Sequence, residues 1–366
     1  MRLLYLTDRL SDRGGADQHL AQVVNDVRCA GHRVIVGFGR DDGGMADLRD
    51  LDLIRIKGLA SRVDSTAGLT ELQPALDHAD IVHVQNVMNP TAIEMAVNTG
   101  RAVVTVQDHR FFCPGPGKTL PDGSACHEAM EESVCTACLP DDDYRLSILD
   151  LTRRRLEALR GCRVVVLSRY MARELELVGL EDARVIPPWV DVAERRTGAG
   201  TRLIMAGRLV SHKAVLDGWR AWCEANRPLP LAIAGSGPLE ADLHGTSRLG
   251  WLGHDDLLAE FRTSRALVFP ARWQEPFGIV GLEALAQGTP VIVAECGGTT
   301  DWSCRGSVAV PPGDVPAMAS AIEDLASSPD RAMALGRAGQ DFVRGSFGRE
   351  STTRRLLDLY VEVASA

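Results

Sequence analysis

Residues 275–292 read Glu-Pro-Phe-Gly-Ile-Val-Gly-Leu-Glu-Ala-Leu-Ala-Gln-Gly-Thr-Pro-Val-Ile. The early proline and glycine predict a loop, and the apolar run after them predicts a helix over 279–286. The first turn of such a helix offers free backbone N–H groups and a positive dipole end, which suit a diphosphate. Glu275 and Glu283 are eight residues apart and can face one polar ligand there. Two isolated glutamates would be explained more simply as stabilising a helix N-terminus. The sequence around them therefore decides between that explanation and a ligand site.

Short apolar strands alternate with helical patterns on both sides of this stretch, which is typical of parallel α/β sheets. Strands are predicted over 3–6, 34–38, 53–56, 81–84, 102–106 and 164–167, and again over 203–206, 231–234, 266–269, 291–293 and 308–310. Between the two sets, Pro187-Pro188 and the polar, glycine-containing stretch 193–201 predict a linker. Two α/β halves joined by a hinge imply a ligand cleft at the carboxyl ends of their strands.

Composition narrows the class of protein further. The chain has 366 residues, of which 45% are apolar and 24% charged, with a formal net charge of −9. These values predict two globular domains and exclude a disordered chain or a nucleic-acid binder with a broad basic face. No apolar run approaches the ~20 residues that span a bilayer, and the start of the chain lacks a signal-peptide pattern. We therefore expect a cytoplasmic protein without a transmembrane segment or nucleic-acid partner, its oligomeric state left open.

The stretch 275–292 closely resembles the E-x7-E signature of retaining GT-B glycosyltransferases of family 4, also called the glycosyl transferases group 1 domain. Arg208, followed five residues later by Lys213, resembles the Arg and Lys of that family that bind the donor diphosphate. Lys213 is one of only three lysines in the chain, and Ala214 stands where the family usually has glycine. Other motifs of the family are matched, in chain order, by 234–238, 249–252, 297–298 and 310–314. The resemblance covers nearly all of residues 201–350.

The resemblance implies a GT-B fold, in which two Rossmann-like parallel α/β domains face each other across a cleft. It implies that Glu283 binds the ribose hydroxyls of the nucleotide and that Glu275 binds hydroxyls of the transferred sugar. It implies no catalytic metal. The remaining donor-binding positions that it implies are Arg208 and Lys213, the turn glycines Gly235 and Gly237, Trp251 and Leu252 near the base, and the backbone of Phe277, Gly278, Ile279 and Val280.

We expect residues 1–188 to form the N-terminal, acceptor-side domain, with a Cys-rich insertion at 109–140. Residues 189–349 would form the nucleotide-sugar-binding domain, and 350–366 a helix that packs back on the first domain. Gly14-Gly15, after the first strand, fits the glycine loop of the family near the donor phosphate, but it equally suits a plain strand–helix turn.

The end of the strand at 102–106 departs from the family. Related proteins commonly have Thr-Val-His-Asp there, whereas this chain has Thr-Val-Gln-Asp-His, with Gln107 in place of the histidine. Asp108 keeps its family position, and His109 stands two positions beyond the expected histidine. Gln107 and His109 thus both remain candidates near the reacting sugar, with burial in the core as the alternative for His109.

Four of the nine cysteines fall within 26 residues, in a C-x12-C-x8-C-x2-C pattern. The last pair, Cys135 and Cys138, has the spacing of a zinc knuckle, which predicts a structural zinc ion held by Cys113, Cys126, Cys135 and Cys138. His127 is an alternative ligand, and free inert thiols are the alternative to a metal site.

These features predict an enzyme that moves a hexosyl or N-acetylhexosaminyl group, with retention, from a nucleotide-diphosphate sugar, by default a UDP-sugar, to a hydroxyl of an acceptor. The acceptor is not identified by the sequence; a small natural product or saccharide is the expectation. A UDP-sugar epimerase on the same fold, which would need no acceptor, and a non-catalytic nucleotide-sugar-binding protein are the alternatives.

Overall fold

The computed structural model describes residues 1–12, 14–45, 48–303 and 305–365. The chain forms two compact units, each built around one parallel sheet. The first unit comprises Met1–Pro121, Cys126–Pro188 and Glu350–Ala366, and the second comprises Asp122–Ala125 and Trp189–Arg349.

The first unit contains a seven-stranded sheet with parallel pairings throughout. Its strands are β1 (Arg2–Leu10), β2 (Arg33–Asp41), β3 (Asp52–Arg55), β4 (Ile81–Gln85), β5 (Ala102–Val106), β6 (Arg163–Val166) and β7 (Arg184–Val185). Their spatial order is β3-β2-β1-β4-β5-β6-β7. The central strands β4 and β5 are buried over their whole length and mostly apolar, as expected when helices cover both faces of a parallel sheet.

Side chains of β1 alternate between two buried clusters, one on each face of the sheet. Leu4 and Leu6 belong to one cluster, and Leu3 and Tyr5 to the other. The covering helices are α1 (Gly15–Cys29), α2 (Leu72–Asp77), α3 (Pro90–Val97), α4 (Glu132–Cys135), α5 (Asp142–Glu157) and α6 (Arg169–Leu177).

The last helix of the chain, α12 (Arg349–Ala364), packs against this first sheet from residue 350 onward; residue 366 lies outside the described residues. Leu356, Leu359 and Val363 are buried in the same cluster as Tyr5. The hydroxyl of Tyr360 lies 2.6 Å from that of Tyr5 and also hydrogen-bonds His83. Apolar burial and a buried hydrogen-bond chain therefore fix α12 to the first unit.

The second unit contains a six-stranded parallel sheet in the order β10-β9-β8-β11-β12-β13. Its strands are β8 (Arg202–Ala206), β9 (Leu231–Ala234), β10 (Ser247–Gly250), β11 (Ser264–Phe269), β12 (Val291–Ala294) and β13 (Ser307–Val310). Its helices are α7 (Val215–Glu224), α8 (His254–Thr263), α9 (Ile279–Ala286), α10 (Val315–Ser327) and α11 (Pro329–Ser346). No helix in the described part of the chain is long and apolar enough to cross a membrane.

In each sheet the strand order reverses at one place. The reversal lies between β1 and β4 in the first unit and between β8 and β11 in the second. Open α/β sheets bind ligands at the carboxyl ends of the strands beside such a reversal. Loops that follow β1, β4, β8 and β11 are therefore where functional side chains are expected.

Candidate functional site

The helix predicted at 279–286 is α9, and the loop before it is held in a fixed shape. Gly278 has φ = +77°, and a Cβ there would lie 3.2–3.4 Å from Thr299, Trp302 and Phe269, so glycine suits both the backbone and the space. The indole N–H of Trp302 donates to the carbonyl of Phe277 at 2.6 Å. These contacts leave the N–H groups at the start of α9 in one orientation, which suits an anion.

Lys213 and Glu275 form an ion pair in the second unit. The Lys213 ammonium donates to Oε1 of Glu275 at 2.5 Å and lies 5.1 Å from the ring centroid of Trp273. Glu275 is buried, whereas Lys213 is partly exposed. The two residues are 62 positions apart in the sequence, and the structure brings them into contact. Both were predicted to bind the sugar donor.

A second basic group, Arg208, lies beside His212. Nη2 of Arg208 is 3.5 Å from Nε2 of His212, and the imidazole packs on Trp273 with ring centroids 4.9 Å apart. Burial lowers the pKa of His212, and the positive charges of Arg208 and Lys213 lower it further. His212 is therefore neutral at physiological pH and can accept a hydrogen bond from Arg208. Sequence reasoning missed it, although it directly precedes Lys213.

Glu283 is paired with a histidine that sequence reasoning also missed. Nε2 of His254, the first residue of α8, lies 2.9 Å from Oε1 of the buried Glu283. This hydrogen bond raises the pKa of His254. Trp251 and Leu252 lie just before α8, and the Trp251 indole is 44% exposed. Each glutamate of the E-x7-E pair thus has its own basic partner.

The turn glycines after β8 and β9 allow two backbone segments to pack closely. A Cβ at Gly235 would collide with the carbonyl oxygen of Gly207, and one at Gly237 would lie 2.5 Å from the carbonyl oxygen of Leu209. The N–H of Leu209 also donates to the carbonyl of Ser236 at 3.0 Å. In this structure Gly235 and Gly237 shape the loop that carries Arg208.

At the corresponding place in the first unit, Gly14 precedes α1 in an extended conformation, and Gly15 is the first residue of the helix. Asp17, in the first helical turn, is buried and forms an ion pair with Arg9 at 3.0 Å. Burial raises the pKa of Asp17. A carboxylate thus already occupies the first turn of α1, alongside the glycine loop.

Gln107 lies in a polar cluster at the ends of β4 and β5. Its amide nitrogen donates to the side-chain oxygen of Asn86 and to the carbonyl of Ala16, and its oxygen lies 3.2 Å from Nδ1 of His19. His19 is buried, and burial lowers its pKa to about 4, so it is neutral at physiological pH. His19 was not identified from the sequence, in which it is a single histidine on a helix.

Asp108 and His109 follow Gln107 but have different surroundings. The Asp108 carboxylate accepts from the backbone N–H of Arg110 at 2.9 Å and pairs with its guanidinium at 2.8 Å. His109 is buried, with its ring 5.4 Å from that of Phe112 and 6.1 Å from that of Tyr170. Gln107, rather than His109, therefore belongs to the polar cluster at the strand ends.

The structure does not support the predicted zinc site. No group of three or more His, Cys, Asp or Glu side chains in the described residues is arranged to hold a metal ion, and this includes Cys113, Cys126, Cys135 and Cys138. Sγ of Cys126 is directed to the carbonyl of Glu128 and that of Cys138 to the carbonyl of Thr119, at 4.0 and 3.9 Å. Burial raises the pKa of Cys113, Cys135 and Cys138, and the charges of neighbouring cysteines raise the pKa of Cys135 and Cys138 further.

A different contact holds this segment. Lys118 is buried, and its ammonium pairs with Glu174 of α6 at 2.9 Å and donates to the carbonyl of Glu128. Phe112 and Met130 are buried in the core of the first unit. A buried ion pair and apolar packing thus help to fix the segment 109–140.

Part of the second unit is similar in sequence to known proteins. Residues 200–328 match the sequence profile of the glycosyl transferases group 1 family. A glycogen synthase of Mycobacterium tuberculosis is 30% identical over 198 residues, which cover 50% of this chain and 47% of that protein. A GDP-mannose-dependent phosphatidylinositol monomannoside mannosyltransferase of Mycolicibacterium smegmatis is 32% identical over 187 residues, covering 45% and 49%. The chain is thus matched over about half the length of these relatives.

Solved structures show the fold of the whole chain. The Anabaena protein HepE, crystallised with UDP-glucose, superposes with a TM-score of 0.74 at 15% identity, covering 99% of this chain and 100% of HepE. Sucrose-phosphate synthase of Thermosynechococcus elongatus superposes with a TM-score of 0.72 at 18% identity, covering 100% and 99%. The predicted fold class, with two Rossmann-like parallel α/β units of the GT-B type, is confirmed.

Proposed function

We propose that this chain, whose residues 200–328 match the sequence profile of the glycosyl transferases group 1 family, is a glycosyltransferase that uses a nucleotide-diphosphate sugar. It would move a hexosyl or N-acetylhexosaminyl group to an acceptor hydroxyl with retention at the anomeric carbon. The observation that carries the proposal is the grouping of Arg208, Lys213 and Glu275 around His212, on the loop that leads into α9 and beside it in the second unit.

These groups suit the main electrostatic task of glycosyl transfer. When the sugar–phosphate bond breaks, negative charge develops on the leaving diphosphate. An arginine, an ammonium and helix N–H groups that are already in place stabilise that charge without reorganisation in the transition state. His212, which is neutral, adds no repulsion between the two cations and can orient Arg208.

The two glutamates are assigned to hydroxyl groups. Glu283, held by His254, would accept from the ribose hydroxyls of the donor, and Trp251 and Leu252 would lie near its base. Glu275 would accept from hydroxyls of the transferred sugar. Lys213 would shift from Glu275 toward the diphosphate when donor binds, since a diphosphate carries more charge than a single carboxylate.

The proposed reaction needs no separate general base. In same-face transfer, the leaving phosphate oxygen accepts the proton of the acceptor hydroxyl as the new bond forms. Gln107 would then serve as a hydrogen-bonding group near the sugar, with its amide oriented by Asn86 and His19. Arg110 instead engages Asp108, which is assigned to shaping the loop.

The donor base is tested by thermal-shift titration with UDP, GDP, ADP and dTDP and their hexose conjugates. A UDP-sugar is expected, since HepE was crystallised with UDP-glucose, and GDP is the alternative suggested by the mannosyltransferase relative. The true donor should stabilise the chain by an amount that grows with the logarithm of its concentration above Kd. Incubation with the selected donor and a panel of saccharide acceptors then tests transfer.

Two outcomes would overturn the proposal. If the chain converts a UDP-sugar to its epimer without acceptor, it is an isomerase. If NMR of the fresh product shows an inverted anomeric centre, the retaining assignment is wrong.

A further inference from the structure

Glu283 on α9 is mostly buried, and its two carboxylate oxygens have different surroundings. Nε2 of His254 donates to Oε1 at 2.9 Å. Oε2 makes no hydrogen bond within the described residues, and it is not fully shielded from solvent. The carboxylate therefore commits one oxygen to the protein and leaves the other for a ligand.

His254 is placed for this contact by the start of α8. It is the first residue of that helix, directly after Gly253, and its side chain is 33% exposed. Because a carboxylate only accepts hydrogen bonds, Nε2 carries the donated proton whether the imidazole is neutral or charged. Nδ1 has no partner within the described residues, so the hydrogen bond of this side chain there is to Glu283.

The two helices that carry this pair are joined a second time, near their other ends. The hydroxyl of Thr289, just beyond α9, donates to the carbonyl of Phe261 on α8. Phe261 is fully buried, and so are Leu282 and Ala284 on either side of Glu283. The backbone that carries Glu283 is thus held by packing, and its carboxylate is held by His254.

A fixed acceptor in a mostly buried position discriminates between ligands that differ by one hydroxyl group. A carboxylate oxygen has two lone pairs, so Oε2 can accept from both vicinal hydroxyls of a ribose, whereas a 2′-deoxyribose offers only one. A ligand that covers the oxygen without satisfying it should bind about tenfold more weakly. A carboxylate that is free to turn toward water would avoid this loss, so the discrimination depends on the hydrogen bond from His254.

We propose that His254 is a positioning residue that makes this chain selective for ribonucleoside diphosphates over 2′-deoxyribonucleoside diphosphates. By holding Oε1 of Glu283, it keeps Oε2 at the place where the ribose hydroxyls bind. The inference rests on the proposed function, in which Glu283 accepts from the ribose of the donor. It favours the sugars of ribonucleotides such as UDP and GDP as donors and disfavours those of dTDP.

The test is calorimetric titration of the full chain with two pairs of nucleotides, UDP with 2′-deoxy-UDP and GDP with 2′-deoxy-GDP. In at least one pair, the parent chain should bind the ribonucleotide about tenfold more tightly than its deoxy counterpart. His254→Ala should reduce this ratio to about threefold or less, mainly by weakening ribonucleotide binding. His254→Gln should keep the ratio, because the glutamine amide can supply an N–H at the same place. His244→Ala, at an exposed histidine of the same unit, is the matched control and should leave the ratio unchanged.

A Glu283→Gln chain separates positioning from direct contact with the nucleotide. In that chain, adding His254→Ala should lower the ratio no further, since His254 acts through the carboxylate. A further fall would overturn the positioning role, and so would an unchanged ratio in His254→Ala alone or a lost ratio in His254→Gln. If neither UDP nor GDP binds the parent chain, the proposed donor site is wrong, and this inference with it. If a ribonucleotide binds but no more tightly than its deoxy counterpart, only this inference is overturned.

Discussion

The Lys213 ammonium lies 2.5 Å from the Glu275 carboxylate, so the cation proposed for the diphosphate is neutralised by the carboxylate proposed for the sugar. Glu275 is only 4% exposed, and a buried carboxylate without a partner would be unfavourable. The pair therefore holds both side chains in place when no donor is bound. Donor binding then exchanges one ion pair for another, and the two partners can be tested separately.

Lys213→Ala should lower transfer by about 10²-fold or more at saturating donor, because it removes a charge that stabilises the leaving diphosphate. Affinity for the nucleoside diphosphate should fall as well. The control is Lys57→Ala, which removes an exposed lysine of the first unit. Steady-state kinetics and UDP titration are the measurements. Near-native turnover of Lys213→Ala would show that the donor site is assigned wrongly.

Glu275→Gln should separate donor binding from transfer. Glutamine has the same size but leaves the Lys213 charge unneutralised, so UDP without a sugar should bind as tightly as in the parent chain or more tightly. Transfer should still fall, because a neutral amide is a weaker acceptor for sugar hydroxyls than a carboxylate. Calorimetry with UDP and initial-rate assays give the two values. A parallel loss of UDP binding and transfer would contradict the separate roles.

Much of the second unit was predictable because its signals are local. The Pro-Phe-Gly loop and the apolar run after it marked α9 at the bounds that the structure gives. Eleven of the thirteen strands in the described residues were apolar enough to be recognised from the sequence. The two that were missed are β7, with two residues, and β10, whose Ser247 and Arg248 are exposed at the edge of the sheet. A strand without a buried apolar face has no pattern to detect.

The partners of the site residues could not be predicted in the same way. His254 meets Glu283 across 29 positions, and His19 meets Gln107 across 88. A single histidine has no spacing that indicates such contacts. The zinc prediction is not supported, because the described residues hold no group that is arranged as a metal site. The buried Lys118 that holds this segment carried no recognised motif.

The His254–Glu283 pair predicts a pH dependence in the second unit. The hydrogen bond between His254 and Glu283 raises the pKa of His254, and the charges of Asp255 and Asp191 raise it further. Stability from the protonated pair is therefore fully present below the unfolded pKa of about 6.5 and is lost as pH rises through the higher folded pKa. His254→Gln should abolish this loss above pH 6.5.

The measurement is Tm from pH 6 to 8.5, with and without the donor nucleotide. His244→Gln, at an exposed histidine of the same unit, is the control and should keep the parent profile. Identical pH profiles for the parent chain and His254→Gln would mean that the pair contributes nothing to folding.

The buried histidine of the first unit predicts the opposite dependence, at lower pH. Nδ1 of His83 hydrogen-bonds the hydroxyl of Tyr360, and Nε2 lies 2.7 Å from Oγ1 of Thr105. Burial lowers the pKa of His83 from 6.5 to about 3. Between these values the unfolded chain takes up a proton that the folded chain does not, so stability falls as pH falls. Acidification from pH 6.5 to 5 should cost about 2 kcal/mol through this residue.

Urea unfolding of the parent chain and His83→Gln at pH 6.5 and 5 measures that cost. The variant has no imidazole to protonate, so its loss of stability over this interval should be smaller by about 2 kcal/mol, even if it is less stable throughout. His78→Gln, at an exposed histidine of the same unit, should lose as much stability on acidification as the parent. Because His83 and Tyr5 both contact Tyr360, acid should loosen α12 first, which hydrogen exchange of residues 356–363 would detect. Equal losses for His83→Gln and the parent chain would show that His83 is protonated equally in the folded and unfolded states.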